Sequence, residues 1–503
     1  RVCLAFWSFF SGAFPELIQN PQLVARDLQQ TVLHLWQSWR YAGAIMRPDM
    51  TYREHAVASL KLGLPLVGSH VAQMSIMLSD AVMLGWYSVD ALAAETLGGS
   101  LFYIFFLMGS GFAWALMPMV ASADAKGDQT QIRRVTRMGG WIALLFALMS
   151  LPPMIFARPL FEAIGQEPSV SQLAAEYTSL VGFAMIPALL VMVLKSYLAA
   201  LERTQVVFWV TIAALPLNVL INYMLIFGNW GAPEMGIRGA ALASVIVSFA
   251  SFAALAIYAV RVLPEHALFQ RLWRPDWEAF GQVFRLGWPI GITSLAEVGL
   301  FSASTVMMGW LGSVQLAAHG IALQISALTF MVHMGLSNAA TVRAGQAFGL
   351  GDAGSLRKGA IAALVLSAGF ALLTVVLFLA LPAQMIGLFL DPNDPERVAV
   401  IAAGIGLLAA AALFQLVDAA QVMALGFLRG VQDTRIPMII ATLSYWVIGI
   451  PASYLLGFTL GFDGVGVWLG LALGLALAGG FLMARFWGWS IRDLEKGTST
   501  VQA

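Results

Sequence analysis

Five carboxylic acids lie inside long apolar stretches of the chain or at their edges: Asp80, Glu95, Glu176, Glu297 and Asp418. A charge in the middle of a bilayer is costly, so acids in such places usually face a polar cavity and mark the path of an ion or a substrate. A buried carboxyl group becomes neutral with a proton or a bound cation, and it can exchange one for the other. Asp80, Glu297 and Asp418 are therefore predicted to couple transport to a cation. Glu95 is a secondary candidate because it lies near the outer end of its stretch, as Glu176 does.

Amide side chains accompany these acids at helical spacing. Gln415 and Gln421 lie three residues before and after Asp418, and Asn218 and Asn222 are four residues apart. Residues three or four apart are neighbours on a helix surface, and amide oxygens are ligands for hard cations such as Na⁺. The alternative interpretation is structural, because buried polar side chains also hydrogen-bond neighbouring helices together.

The composition indicates the surroundings in which these residues lie. Of 503 residues, 59% are hydrophobic and 11% are charged, and the mean hydropathy is +0.81. Soluble domains have about 25% charged residues, so most of this chain is predicted to lie in lipid. The formal net charge is zero, and no basic field indicates a nucleic-acid partner.

Several kinds of chemistry lack the residues that they need. Cys3 is the single cysteine, which excludes an internal disulfide or a thiolate metal site. The sequence has no phosphate-binding Walker loop and no hydrolase or zinc-protease motif. We expect no cofactor and no enzymatic activity. The alternative from a different functional class is an intramembrane enzyme that uses paired carboxylates.

Twelve apolar stretches are long enough to span a hydrocarbon core of about 30 Å. They cover residues 57–84, 97–122, 139–161, 172–200, 207–228, 239–260, 284–308, 315–342, 359–390, 400–428, 436–458 and 464–488. The predicted fold class is an all-α integral membrane protein with twelve transmembrane helices in two six-helix lobes.

The two halves of the chain repeat each other. A shift of 224 residues aligns 62–128 with the second half without a gap. The matches include Leu62-Gly63 with Leu286-Gly287, Pro65 with Pro289, Gly111 with Gly335, and Gly127-Asp128 with Gly351-Asp352. Each half has an even number of spans, so both enter the membrane in the same direction, and a substrate path is expected at their interface. The alternative is that duplication only makes a stable bundle.

The repeat places the acids of the two halves at different depths. Glu297 stands opposite Gln73, and Asp80 stands opposite Ser304. Residues seven apart share a helix face, so the first helix of each half has one polar stripe that carries its carboxylate at a different level. The halves are therefore predicted to share a scaffold and to divide the coupling work.

Basic residues predict the orientation. Twenty of the 23 Lys and Arg residues from position 51 onward, Lys195 among them, lie in the N-terminal flank, in alternate loops or at or after the end of the last span. Cytoplasmic loops carry such an excess, so both termini are predicted to be cytoplasmic in a bacterial inner membrane. The predicted domains are an extension outside the functional fold at 1–54, lobes at 55–260 and 284–488, a cytoplasmic linker at 261–283 and a tail at 489–503.

Several segments resemble the multidrug and toxic compound extrusion family, over roughly residues 55–488. They are Leu78–Gly85, Leu92–Ala94, Leu217–Asn222, Leu316–His319 and Gln421–Gly430, with the Gly-Asp loops. Glu297 and Asp418 match the two carboxylates typical of the NorM-like branch of that family.

The resemblance implies a V-shaped pair of lobes that exports drugs in exchange for Na⁺ or H⁺. It makes Asp80, Asn218 and Asn222 the candidate cation site of the first lobe. Glu297 and Asp418 form the candidate site of the second lobe, and either set is a candidate Na⁺ site. Phe414 stands where a Tyr is expected in the family, which removes a hydroxyl that could bind a cation.

The expected function is secondary active efflux of small organic cations and drugs, coupled to Na⁺ or H⁺, by a monomer in contact with membrane lipid. The alternative transporter is a flippase for lipid-linked oligosaccharides. A flippase of that kind would need basic residues in its cavity, whereas the sequence places acids in the spans.

Overall fold

The computed structural model describes residues 46–47, 49–392 and 395–497, so most of the predicted extension at 1–54 lies outside the described residues. All regular secondary structure in the described part is helical, and twelve helices are long and apolar enough to cross a membrane. They are α1 Tyr52–Tyr87, α2 Val89–Ala125, α3 Gln129–Ile155, α4 Pro168–Ala200, α5 Thr204–Phe227, α6 Ile237–Val262, α7 Trp277–Trp310, α8 Ser313–Leu350, α9 Ala353–Ala380, α10 Arg397–Gly430, α11 Arg435–Thr459 and α12 Asp463–Glu495.

Each predicted span coincides with one of these helices, but two predicted ends are wrong. The third span is predicted to reach residue 161, whereas α3 ends at Ile155 and a short helix, Arg158–Ala163, follows. The ninth is predicted to reach residue 390, whereas α9 ends at Ala380 before the short helix Pro382–Gly387. Both short helices have proline in their first turn, where its missing N–H group is not needed. Hydropathy cannot show such a break because the apolar character continues across it.

The connection between the halves and the end of the last helix also differ from the prediction. α6 ends at Val262 and α7 begins at Trp277, so the connection is shorter than the linker predicted at 261–283. α12 continues to Glu495, inside the tail predicted at 489–503. The boundaries of the two lobes remain a prediction.

The α6–α7 connection and the first turn of α7 are attached to α3. Arg134 Nε donates to Asp276 Oδ2 at 2.6 Å, and Arg134 Nη2 donates to Glu278 Oε2 at 2.7 Å. Trp141 Nε1 donates to the Leu272 carbonyl oxygen at 2.8 Å. The guanidinium of Arg134 holds the pKa of Asp276 below its usual value.

The repeated Gly-Asp loops end one helix and begin the next. Gly127 and Gly351 have φ values of +71° and +69°, which a residue without a Cβ adopts at little cost. Asp128 and Asp352 then accept hydrogen bonds from the backbone N–H groups of the first turns of α3 and α9. Such N-caps satisfy donors that a helix start leaves unpaired.

We call α1–α6 the first half and α7–α12 the second half. The contacts between the two halves include two equivalent helix crossings, α2 with α7 and α1 with α8. A Cβ on Gly111 would lie 2.4 Å from the Gly291 nitrogen, and a Cβ on Gly335 would lie 2.7 Å from the Val67 nitrogen. Small residues allow helix backbones to approach this closely. Gly111 and Gly335 are equivalent in the repeat, so the same kind of close helix crossing occurs twice.

The halves separate toward one end of the bundle. We call the end where α1 begins the near end and the opposite one the far end. Both glycine crossings lie in the near-end halves of their helices, and Asn338 hydrogen-bonds His70 across the halves at 3.1 Å. Seven residues further toward the far end, on the same helix faces, Met77, Ile104 and Leu328 are 56%, 48% and 53% exposed. The halves are thus closed at the near end and bound a cleft that opens at the far end.

Candidate functional site

The three residues predicted for the first site lie together. Asn222 Nδ2 donates to Asp80 Oδ1 at 2.5 Å and to Asn218 Oδ1 at 3.3 Å. Ser79 Oγ also donates to Asn218 Oδ1, at 3.3 Å. Both asparagines are buried, whereas Asp80 is half-buried on α1, a helix that borders the cleft.

Helices α1 and α5 hold these residues in register. They run in the same direction, and Ser69 Oγ lies 3.1 Å from Thr211 Oγ1. Eleven residues further along both helices, Asp80 meets Asn222. The sequence separation is 142 residues at both contacts. A shift of one helix along the other would therefore move the carboxylate away from its amides.

Glu95 lies beside this cluster, and Glu176 does not take part in it. Asp80 and Glu95 lie within electrostatic range of each other. Tyr177 lies within electrostatic range of both carboxyl groups. Glu176 Oε2 instead accepts a hydrogen bond from Arg238 Nε at 3.2 Å. Both of these side chains are partly exposed, and an ion pair of this kind contributes little to stability.

The second site is built around Asp418, which is 2% exposed on α10. Its Oδ1 atom has no hydrogen-bond partner, nor do Gln415 Oε1 and Gln421 Oε1. The amide nitrogens of the two glutamines are occupied: Gln415 Nε2 donates to the Ser326 carbonyl oxygen at 3.3 Å, and Gln421 Nε2 donates to Tyr445 Oη at 2.6 Å. One helix thus carries three buried acceptor oxygens that lack donors.

Glu297 on α7 completes this second cluster. Its charge interacts with that of Asp418. Three further residues lie within electrostatic range of Glu297: Tyr103 of the first half, Arg429 and Tyr445. None of the three was predicted from the sequence to be a member of the site. Each comes from a different helix, and nothing in a single sequence aligns those helices with Glu297.

The hydroxyl that Phe414 lacks is present on another helix. Phe414 is buried, and its ring packs against Phe301 and Trp468 with centroid distances of 5.9 and 5.5 Å. Its contacts are therefore apolar, and it offers no ligand. Tyr445 on α11 lies within electrostatic range of both Glu297 and Asp418. A phenolic oxygen is thus available to the second cluster despite the substitution at position 414.

Gln73 lies near Lys195, a basic residue whose predicted location was wrong. Lys195 Nζ is 3.5 Å from Gln73 Oε1, and Gln73 is exposed. Lys195 was predicted to belong to the flanks and loops, but it lies inside α4, which continues to Ala200. An ammonium group therefore lies inside a membrane helix at the level where the second half has Glu297.

Both clusters offer carboxylate and amide oxygens. Such oxygens suit a hard cation, and the same acceptors would also bind a protonated carboxyl group. Among the described residues no group of three or more His, Cys, Asp or Glu side chains could hold a metal ion.

Comparison with known proteins identifies the family. The MatE family model matches residues 65–224 and 289–455. The two matches begin 224 residues apart, which is the offset of the internal repeat.

Curated relatives cover nearly the whole fold. A probable multidrug resistance protein NorM of Rhizobium meliloti is 45% identical over 445 residues, which are 88% of this chain and 95% of the relative. A protein of the same name from Agrobacterium fabrum is 44% identical and covers 86% and 93% of the two chains.

Solved structures have the same fold at low identity. A eukaryotic MATE transporter, AtDTX14, superposes with a TM-score of 0.79 at 17% identity over 90% of this chain and 100% of its own. A MOP superfamily transporter from Pyrococcus furiosus superposes with a TM-score of 0.77 at 19% identity over 89% and 98% of the two chains. With the family match and the relatives, the prediction of a transporter rather than an enzyme is confirmed. The chain belongs to the multidrug and toxic compound extrusion family and resembles its NorM-like members.

Proposed function

We propose that this protein is a secondary active multidrug efflux transporter that exchanges organic, mostly cationic compounds for Na⁺ or H⁺. The observation that carries the proposal is the pair of separate carboxylate clusters, one in each half of the protein. The buried acceptor oxygens of Asp418, Gln415 and Gln421 have no donor. A buried acid whose oxygen lacks a donor needs a proton or a cation. If the protein alternates between two arrangements that bind this proton or cation differently, binding at the acid is coupled to the opening of the cleft.

The substrate class follows from the walls of the cleft and from the relatives. Both relatives described above carry the name multidrug resistance protein. Met77 and Tyr103 are exposed on helices that border the cleft, and Tyr103 lies within range of the Glu297 charge. Aromatic faces and carboxylates attract organic cations, and flexible methionine side chains adapt to differently shaped compounds.

The exchange needs the near end to open. The glycine crossings hold the two halves together there, and repeats related by an axis along the membrane normal give alternating access when one half rocks against the other. A cation that binds one arrangement more tightly than the other shifts the equilibrium between them. The two clusters lie on opposite halves, so their occupancy can change as the halves separate.

Efflux of a fluorescent cation from proteoliposomes tests the proposal when Na⁺ and H⁺ gradients are imposed separately. At least one of the two gradients, imposed alone, should drive dye uphill, and dissipation of that gradient should stop the movement. If dye moves uphill under neither gradient, the proposal is wrong.

The coupling ion can be assigned at the first cluster. The Asn218→Ala substitution removes an amide oxygen beside Asp80. If Na⁺ binds there, the variant should need more Na⁺ for half-maximal efflux while its pH dependence stays near that of the wild type. If efflux ignores Na⁺ and follows a pH gradient, Asp80 is a proton carrier.

One observation favours the flippase alternative. Lys195 lies inside α4 near Gln73, and an ammonium group there could contact a phosphate of a lipid-linked sugar. Translocation of a labelled pyrophosphate-linked lipid would support this alternative, and the Lys195→Gln variant should then lose it. Gradient-driven dye efflux that survives Lys195→Gln supports the antiporter.

We also propose that both termini face the cytoplasm of a bacterial inner membrane. Cys3 is the single cysteine, so a Cys3→Ser background allows single cysteines to be placed at chosen positions. A cysteine at Gly497 should react with an impermeant thiol reagent only after the cells are opened. Labelling of intact cells would reverse the orientation.

A further inference from the structure

A cavity separate from both carboxylate clusters lies where α1 meets α8 and α9. The cavity is small, and its polar lining residues are Ser59, Arg343 and Ser355. Apolar residues of α8 to α10 and Met46 form the rest of its wall. The cavity therefore lies at the junction of the first and second halves, toward the near end.

Arg343 is an unusual residue to find in such a place. It is 3% exposed, and none of the ion pairs among the described residues includes it. Its Nη2 atom contacts Met50 Sδ at 3.5 Å and His55 Nδ1 at 3.0 Å, whereas Nε and Nη1 have no hydrogen-bond partner. A buried charge without a partner is strongly destabilising, so the guanidinium needs a counter-charge.

The groups around Arg343 include donors that lack acceptors. A guanidinium can only donate, so His55 Nδ1 accepts from it and the hydrogen of a neutral ring is on Nε2, which is buried without a partner. Ser59 Oγ and Ser355 Oγ are also buried without partners. Ser355 is in the first turn of α9, whose positive dipole end favours an anion.

The nearby acids are engaged elsewhere. Glu202 Oε1 accepts from Gln346 Nε2 at 3.0 Å, and Glu202 lies within electrostatic range of Arg343. Asp352 Oδ1 accepts from the Ser355 N–H group at 2.9 Å as the cap of α9. Asp352 Oδ2 is buried without a partner, which makes Asp352 the competing candidate for a counter-charge.

We propose that this cavity binds one small anion, of the chloride or phosphate class, between the guanidinium of Arg343 and the hydroxyls of Ser59 and Ser355. Helix α1 has 36 residues, about 54 Å in length, and exceeds the hydrocarbon core of about 30 Å. Ser59 is in its eighth position, near the membrane surface. The anion can therefore be a dissolved ion or the phosphate of a lipid headgroup. Bound there, it joins α1 to α8 and α9 and stabilises the closed near end.

Anion-dependent stability of the purified, delipidated protein in detergent tests the proposal. Sodium chloride or phosphate, titrated against sodium gluconate at constant ionic strength, should raise Tm in a saturable way. Arg343→Gln should abolish the response. Arg357→Gln removes the same charge from an exposed position on α9, and this variant should keep the response.

Ser355→Ala serves if the Arg343 variant does not fold. It should weaken the apparent anion affinity by about tenfold, as expected for one lost hydrogen bond to a charged partner, at unchanged Tm in gluconate. Phosphatidylglycerol added in place of salt, with phosphatidylcholine as control, separates the sources: a response to this lipid alone assigns the site to a headgroup.

Three results would overturn the proposal. The wild type could show no saturable response to any of these anions or lipids. Arg357→Gln could lose the response as completely as Arg343→Gln. Asp352→Asn could lower Tm as much as Arg343→Gln in a protein that ignores anions, which would make Asp352 the counter-charge of Arg343.

Discussion

Burial of the Asp418 carboxylate inside the membrane carries a high desolvation cost. The side chain is almost completely buried, its Oδ1 atom lacks a donor, and a second carboxylate, Glu297, lies within electrostatic range. Two carboxylates in such a place do not both stay charged without a cation. A bound proton or a bound cation would resolve this repulsion, which is the basis of the coupling role that we propose for Asp418.

Replacement of Asp418 by Asn should therefore abolish efflux without unfolding the protein. The amide keeps the volume but can neither release a proton nor offer a charge to a cation. We expect transport to fall by at least about tenfold, which corresponds to about 1.4 kcal/mol. Dye efflux from proteoliposomes, normalised to inserted protein, measures this effect. Wild-type efflux by Asp418→Asn would assign the residue to structure alone.

Glu297 and Gln73 provide a matched pair, because the repeat places them at equivalent positions. Glu297→Gln removes a charge from the second cluster, whereas Gln73→Ala removes an exposed amide that contacts only Lys195 among the hydrogen bonds of the described residues. The first change should reduce efflux far more than the second, at equal expression. Equal effects of the two changes would contradict the division of work between the halves.

The residues of the site were predictable to the extent that their chemistry is costly in lipid. Asp80, Glu297 and Asp418 stand out in the sequence because a charge interrupts an apolar run, and Asn218 and Asn222 because of their spacing. Tyr445 and Tyr103 do not stand out, since a tyrosine in an apolar helix is ordinary. Their positions depend on how α11 and α2 pack against Glu297, and that packing is not encoded in any local pattern.

At the scale of elements, the glycine crossings determine how closely the halves approach. Gly111→Ala should destabilise the closed arrangement, because the new Cβ would lie 2.4 Å from the Gly291 nitrogen and 2.7 Å from the Gly287 carbonyl oxygen. Overpacking of this kind costs about 1–3 kcal/mol. Thermal unfolding in detergent and efflux should both be impaired.

Gly369→Ala is the control for the glycine crossing. Nothing lies within 4 Å of a Cβ at this position of α9, and alanine is the better helix former by up to about 1 kcal/mol. The control should therefore be neutral or slightly stabilising. A Gly111→Ala protein as stable and active as the control would show that the close crossing is not needed.

The contact between α3 and the α6–α7 connection should respond to acid. The pKa of Asp276 is lowered by Arg134, so its stabilisation is complete above the ordinary pKa of about 3.9 and is lost as the pH falls through the lowered value. Arg134→Gln should be less stable than wild type at pH 7, by about 1 kcal/mol or less for partly exposed groups. The difference should vanish in strong acid.

Arg133→Gln, which removes the same charge one residue earlier, controls for net charge and should match wild type in thermal unfolding at both pH values. A stability difference for Arg134→Gln that persists unchanged in strong acid would show that Asp276 is not the partner that matters.

Helix number and order were predictable because the hydrocarbon core sets a minimum apolar length, whereas helix ends were less so. Ala380 ends α9 although the apolar sequence continues, because the backbone turns into the short helix that begins at Pro382. Lys195 was counted with the basic residues of the flanks and loops, although the predicted span 172–200 includes it. Its side chain instead reaches Gln73 from inside α4.

At the scale of the whole molecule, the structure is closed at the near end and open at the far end. Each half holds one carboxylate cluster, and Tyr103 of the first half lies within electrostatic range of Glu297 of the second. A substrate in the cleft and a cation at a carboxylate would therefore influence each other through the relative position of the halves. Such coupling is reciprocal: if an ion gradient drives the substrate, a substrate gradient must also drive the ion.

Reciprocal exchange is the most direct test of this account. Proteoliposomes are loaded with a fluorescent organic cation and diluted into dye-free buffer that has Na⁺ and H⁺ at equal concentrations on both sides. A sensor for each ion then records its movement. We predict that the outward dye gradient drives Na⁺ or H⁺ inward against its developing gradient, and that Asp418→Asn abolishes this movement. Dye exit through the wild-type protein with no movement of either ion would contradict cation exchange.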